Sequence, residues 1–394
     1  MARGIFKLTS ALLATSAAVG AAQAGGFSRG SADTELLYED GNFNIRAGVT
    51  LVAPRRKYAT VNGAAGTDLY FSKTYVIPSA AIKLNITDDL RCAGTFTQSN
   101  GGDSVYGRQA IAAGKLTSAS GTVSTNFVTN EAGLTCGYKF SAGKGNFWLL
   151  GGVFVEDFTY AETVEFGKFA GALNKSQATL SFDGDYKPGF RVGAAYEIPE
   201  IALRAQLMYR SSVTHDPNGT FKFIGGSIPT VGLGTLPQNV ELKLQSGVAP
   251  GWLVFGSVKW TDWSVLQTLN YTILGAVPGI SGNKIKEFYF KDGWTVSAGV
   301  GHAFNETVSG AASLTWDRGV STTEDHLTDT WTLGVGVAVK DKLGGELRLG
   351  GALSYLTAGK VNIDVPGPGP GADFASTTNG NVAYAAQASY KIKW

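Results

Sequence analysis

The stretch that most limits what this chain can fold into is Asn381 to Trp394, NVAYAAQASYKIKW. Val382, Tyr384, Ala386, Ala388, Tyr390, Ile392 and Trp394 fall on one face of a strand. Ala383, Ala385, Gln387, Ser389, Lys391 and Lys393 fall on the other. A period of two with one greasy face is a half-buried strand. A strand whose outer face meets lipid also accounts for the closing Trp394, since aromatics gather at the membrane–water boundary.

The same alternation recurs along the chain. It predicts strands at 43–51, 75–86, 90–98, 131–140, 146–158, 176–198, 203–210, 236–248, 252–273, 284–304, 308–316, 331–339, 347–355 and 381–394. Strand five (146–158) is apolar on both faces, so either Trp148, Leu150 and Phe154 or Phe147, Leu149 and Val153 point inward. The connections after strands two, four, six, eight, ten and twelve are short. Those after one, three, five, seven and thirteen are long. Short periplasmic turns against longer outer loops are the asymmetry of an outer-membrane barrel. The expected fold is all-β: a 14-stranded antiparallel transmembrane β-barrel with a short N-terminal plug segment and both termini periplasmic. Closure removes the free edges that such a β-rich chain otherwise exposes.

Composition agrees. There are 53 Gly, 15 Tyr and 21 Phe in 394 residues, and no apolar run after residue 24 is long enough for a membrane helix. Residues 1–24 read as a signal peptide: Arg3 and Lys7 form the basic start, an apolar run follows, and Ala22-Gln23-Ala24 is an A-x-A cleavage site. Residues 25–42 are the plug-like segment and 43–394 the barrel. Without Arg3 and Lys7 the 33 basic residues fall to 31, equal to the 31 acidic ones. That balance leaves no basic field for nucleic acid. Cys92 and Cys136 lie on outward faces of neighbouring strands. We read them as small apolar side chains facing lipid, in preference to a cross-strand bond. No metal spacing involves them, and no cofactor is expected.

A general porin lines its lumen with polar residues. Here Leu253 and Phe255 alternate inward with Ser257 and Lys259. Apolar residues inside a barrel suit an apolar ligand, with cations to fix a head group. Catalysis has little support. His215 and His326 sit in loops beside Asp216 and Asp325 and read as polar surface, and His302 faces outward. The chain reads as a transporter and not an enzyme. A general diffusion porin for hydrophilic solutes is the alternative, and a barrel lipase a third class.

Several stretches carry a family resemblance: Lys168-Phe169-Ala170-Gly171, GFRVGAAYE at 189–197, Met208-Tyr209-Arg210-Ser211, Trp260-Thr261-Asp262-Trp263-Ser264 and Phe290-Lys291-Asp292-Gly293-Trp294. Their order and spacing resemble the outer-membrane fatty acid and hydrocarbon transporters of the FadL/TodX type. The resemblance implies a monomeric 14-stranded barrel for passive uptake of long-chain fatty acids or related hydrophobic molecules, with aromatic hydrocarbons as the alternative substrate. It implies lateral release at a kink in strand three, which is similar to Ser99-Asn100-Gly101-Gly102 here. The family's head-group cations fall on Lys168 and Lys286, and Phe27 is placed to reach a lumen site. The implied partners are the hydrophobic ligand, outer-membrane lipid and lipopolysaccharide, and the barrel-assembly machinery through Trp394. The chain departs from the family pattern in lacking its longer N-terminal hatch and Asn-Pro-Ala signature.

Overall fold

The computed structural model describes residues 25–322, 325–361 and 373–394. The expected signal peptide (1–24) and the proline-glycine run at 366–371 lie outside the described residues. Fourteen strands close into an antiparallel barrel: β1 (Phe43–Pro54), β2 (Tyr75–Asn85), β3 (Leu90–Val105), β4 (Ser120–Ala142), β5 (Gly145–Glu156), β6 (Lys187–Ile198), β7 (Leu203–Arg210), β8 (Asn239–Ala249), β9 (Trp252–Thr261), β10 (Gly293–Ala303), β11 (Val308–Asp317), β12 (Thr330–Lys340), β13 (Gly345–Leu356) and β14 (Asn381–Lys393). Each pairs with its chain neighbours, and β14 closes on β1 with Asn44 opposite Lys393. Apolar side chains cover the outside, as lipid requires.

The strand count follows the alternation, but several lengths do not. Strands β3 and β4 run on past the expected loop to Val105 and back from Ser120, joined through helix α1 (Arg108–Thr117). The expected strands at 176–198, 252–273 and 284–304 each break in two. Their outer halves, Gln177–Phe182, Thr268–Ile273 and Gly282–Glu287, join Thr159–Phe166, Asn218–Phe223 and Gly226–Leu236 in a sheet that continues the wall upward from β4. Alternation does not distinguish a membrane strand from an outer one that covers its own apolar core.

Cys92 and Cys136 form a disulfide, which overturns the unpaired reading. They stand directly opposite in the β3–β4 register with their Cα atoms 4.0 Å apart. Two cysteines in such a pair are within bonding reach whatever their outer faces meet.

The N-terminal segment lies inside the barrel. Its short 3-10 turn, Thr34–Tyr38, buries Leu36 and Leu37 completely. Leu37 packs with Trp148 and Leu150 of β5, and Tyr38 lies edge-on to Trp148 at 5.2 Å. This settles the β5 register: Trp148, Leu150 and Phe154 point inward. Burying each such side chain contributes about 1.5–3 kcal/mol.

Three carboxylates then pin the segment to the wall. Asp33 pairs with Arg46 at 2.5 Å, and Glu35 with Arg204 and Lys243. Glu39 pairs with Arg46, Lys391 and Arg348. Burial pushes the Glu39 carboxyl up, but those cations outweigh it and hold it at about 2. Glu35, likewise buried, is held at about 2 by Arg204 and Lys243. Both values are depressed from about 4.3 in the free side chain. Their contribution is therefore complete above that value and is lost as pH falls through about 2. Hydrogen exchange of residues 25–42 should accordingly be as slow at pH 5 as at pH 7 after correction for intrinsic rate. Loosening at pH 5 would contradict the pairing.

Trp394 closes the seam. Its backbone N–H donates to Phe43 at 2.9 Å, its carbonyl accepts from Asn42 at 3.0 Å, and its ring lies 5.5 Å from that of Phe43. Deleting Trp394 should lower the yield of heat-modifiable, folded barrel on a gel. An unchanged yield would show that the seam does not need it.

Candidate functional site

The β2–β3 seam is incomplete. Its register ends at Ser79 opposite Thr97, so the next residues of β3, from Gln98 to Gly102, lack a β2 partner. Pro78, which has no N–H to offer, lies on the released stretch of β2. On the other side of β3 the ladder to β4 skips Ser99, a bulge between Gln98 and Asn100. Above the gap the wall closes again where Ser72 meets Ser104.

The N-terminal segment covers this gap from inside. Ser28 bridges Asn100, while Arg29 and Gly30 donate to the carbonyls of Ser99 and Gln98 at 2.9 and 2.8 Å. The Gly101 N–H donates to the Phe27 carbonyl at 2.8 Å. Arg29 braces both rims: it binds Gln98, pairs with Asp103 at 2.6 Å and lies 4.0 Å above the Tyr75 ring. A side chain at Gly101 would meet the Arg29 guanidinium and displace it from its present place. Behind the bulge, the Ser99 hydroxyl donates to Glu156 at 2.6 Å, and Arg210 ties Glu156 to Glu131.

A cavity of about 310 Å³ opens beside the gap, on the outer side of the barrel. Phe27, Tyr58, Phe71, Tyr106, Phe127, Tyr160, Phe288 and Phe374 line it. Phe27 stands among Phe127, Trp263, Phe288 and Phe290, with ring centroids 5.3–5.9 Å apart. The structure thus brings Phe27, Gly101, Gly102 and Lys286 to one cavity. Ser99 and Asn100 line a smaller space of about 80 Å³ beside it. Phe255 lines a third, of about 120 Å³, with Glu35, Arg204 and Lys243. Lys168 lies on an exposed turn, its ammonium 5.2 Å from the Phe169 ring, and is not part of the cavity lining.

The cavity's cations differ in how they are satisfied. The Lys286 ammonium donates to Glu162 at 3.0 Å, and Glu162 also accepts from Tyr160 and Thr122. Burial acts against both charges, but each holds the other ionised. Arg56 is buried as well, yet among the described residues its guanidinium reaches only the Thr328 hydroxyl, at 3.2 Å from both terminal nitrogens. Burial lowers its pKa to about 10, with Asp325 opposing. Nothing local in the sequence marks Arg56 for burial in an aromatic wall.

His215 and His326 are buried, not surface groups as expected. His326 Nε2 lies 2.9 Å from the Ser376 hydroxyl, but among the described residues its Nδ1 has no hydrogen-bond partner to orient the ring. Burial, then Arg56, lowers its pKa to about 4, so the ring is neutral at pH 7. His215 Nδ1 lies 3.0 Å from Asp185, while Ser99 binds Glu156 and not this histidine. Neither pair completes a nucleophile, base and orienting acid.

Solved structures of the same fold include a Pseudomonas aeruginosa FadL homologue, with 12% identity and a TM-score of 0.71 over 91% of this chain and 92% of that one. The P. putida toluene transporter TodX gives 14% and 0.66 over 97% and 98%. The Ralstonia pickettii toluene transporter TbuX gives 14% and 0.66 over 96% and 97%. A search of the curated proteins finds no sequence match. The sequence model of the outer-membrane transport proteins OMPP1/FadL/TodX matches residues 39–391, which cover the barrel, and the chain belongs to that family.

Proposed function

We propose that this protein takes up long-chain fatty acids or related hydrophobic molecules passively across the outer membrane. The observation that carries the reading is the aromatic-walled cavity that meets a gap in the barrel wall. A ligand that fills an apolar pocket has two ways on: down the lumen or sideways. Downward, the pinned N-terminal segment fills the barrel. Sideways, Phe27 to Gly30 lie along the gap beside the cavity. Release through the wall into lipid follows if that short segment shifts. The filled lumen speaks against a general porin for hydrophilic solutes. The barrel works as a monomer in lipid and lipopolysaccharide, its termini periplasmic and Trp394 offered to the assembly machinery. Uptake of labelled oleate by cells with and without the protein tests this. Equal rates at limiting oleate would overturn it.

The choice between an acid and a neutral hydrocarbon turns on the cavity's cations. Glu162 already neutralises Lys286. Among the described residues the Arg56 guanidinium donates only to the Thr328 hydroxyl, with the Asp325 carboxylate nearby, and a buried cation gains most from an anion that hydrogen-bonds it. We place the carboxylate there. Arg56→Ala should weaken binding of oleate about tenfold, as loss of a charged hydrogen bond does, and leave methyl oleate nearly unchanged. Lys286→Ala and Lys168→Ala should discriminate less. Equal losses for acid and ester on Arg56→Ala would favour a neutral ligand such as an aromatic hydrocarbon, which the ring-lined wall also suits.

A further inference from the structure

The cavity holds a charge balance that an anionic ligand would upset. Lys286 and Glu162 neutralise each other, and Arg29 and Asp103 do so at the rim of the gap. That leaves the buried Arg56 and the half-buried Asp325, both of which line the cavity. The Asp325 carboxylate accepts from the Leu327 backbone N–H at 3.0 Å and acts on Arg56 through space. Among the described residues it forms no direct ion pair. Lys73 and Asp373 also line the cavity but are exposed, where solvent screens them. Glu287 is half-buried and accepts from the Tyr289 hydroxyl at 3.0 Å. A carboxylate docked on Arg56 therefore leaves two negative charges beside one cation in an apolar wall, and one of them is better neutralised.

We propose that this site takes up one proton with each anion it binds: the proton comes from water and ends on the Asp325 carboxylate, as an O–H where the charge was. The inference rests on the placement of the ligand's anionic group at Arg56. The groups that face Asp325 leave it the one to titrate. Burial pushes its carboxyl up to about 6, against the Leu327 N–H, Arg56 and Lys286. The adjacent His326 is already neutral there, lowered by burial to about 4. Burial keeps the Tyr58 and Tyr106 phenols protonated, and Arg56 at about 10 stays charged. A second anion nearby raises Asp325 further, because like charges disfavour ionisation. Anion affinity is then lowest at high pH, where Asp325 is charged with or without ligand. It rises as pH falls through the raised value. It levels off below about 6, where Asp325 is protonated before the ligand arrives.

Hexadecanesulfonate keeps its charge throughout this range, so its binding separates titration of the site from titration of the ligand. The protein in lipid nanodiscs is titrated with it by calorimetry, with empty nanodiscs as the blank. Affinity should be about tenfold higher at pH 5.5 than at pH 8, as expected when a neighbouring like charge raises a carboxyl by about one to two units. At pH 7 the heat should differ between phosphate and Tris buffers by the uptake of about half to one proton per ligand. Asp325→Asn should bind tightly at both pH values with no buffer-dependent heat, and it leaves every other titrating group in place. Equal wild-type affinity at the two pH values, or a pH dependence that survives in Asp325→Asn, would overturn the proposal. If the sulfonate does not bind, or Arg56→Ala binds it as the wild type does, the placement at Arg56 fails and the proton uptake with it. Binding that ignores pH but is weakened by Arg56→Ala sinks the proton uptake alone.

Discussion

Replacing Glu39 with alanine is expected to unseat the N-terminal segment from the barrel. Its carboxylate takes Arg46, Lys391 at 2.8 Å and Arg348 at 3.6 Å. Asp33 and Glu346 remain for these cations, but one buried positive charge is left over. Breaking a buried pair from one side costs about 3–5 kcal/mol, so the opening of the segment should become more than about a hundredfold more frequent. Hydrogen exchange of residues 25–42 reads that change directly, and single-barrel conductance in a planar bilayer should rise with it. Glu39→Gln keeps an acceptor without its charge and should fall between. Unchanged protection in Glu39→Ala would mean that packing of Leu36, Leu37 and Tyr38 holds the segment alone.

The second large effect concerns the gap itself. Ser28 and Asn100 form an antiparallel bridge. Such pairs have Cα atoms about 4.5–5.5 Å apart, within reach of a disulfide. With Cys92 and Cys136 changed to serine, Ser28→Cys together with Asn100→Cys should oxidise to a bond that fixes the segment over the opening. Oleate uptake should drop to the level of cells without the protein and return on addition of reductant. Full uptake with the bond intact would exclude displacement of Ser28 from Asn100 as a step in transport.

Much of the architecture was legible because lipid outside a barrel imposes a strict period of two. Val382 to Trp394 and Trp331 to Val339 show it without ambiguity. The readings failed where a second apolar environment exists. On β5, Trp148 and Leu150 are as greasy as Leu149 and Val153, because the inward pair packs on Leu37 of the N-terminal segment. At 268–273 and 282–287 the alternation serves an outer sheet. The site was less legible. Lys286 was found by resemblance, but its partner Glu162 lies 124 residues earlier and nothing local couples them. Asp33, Glu35 and Glu39 drew no notice in a polar stretch. Their role exists only once the wall presents Arg46, Arg204 and Lys391 to them. Cys92 and Cys136 were placed on the right strands, and their bond followed from a register that face patterns alone do not fix.

That bond has a bearing on how the chain reaches its place. A barrel polypeptide crosses an oxidising compartment before it has any lipid to fold into. Oxidation joins residues 44 apart in sequence, and in a chain-entropy account a loop of that size removes about 4 kcal/mol of freedom from the unstructured chain. The β3–β4 hairpin would then travel with its alignment already chosen. This is the pair most exposed to misalignment, since β3 gives up β2 above Thr97 and depends on β4 for its register there. A chain that arrives reduced has to find that alignment during insertion, among every slip that a period of two permits.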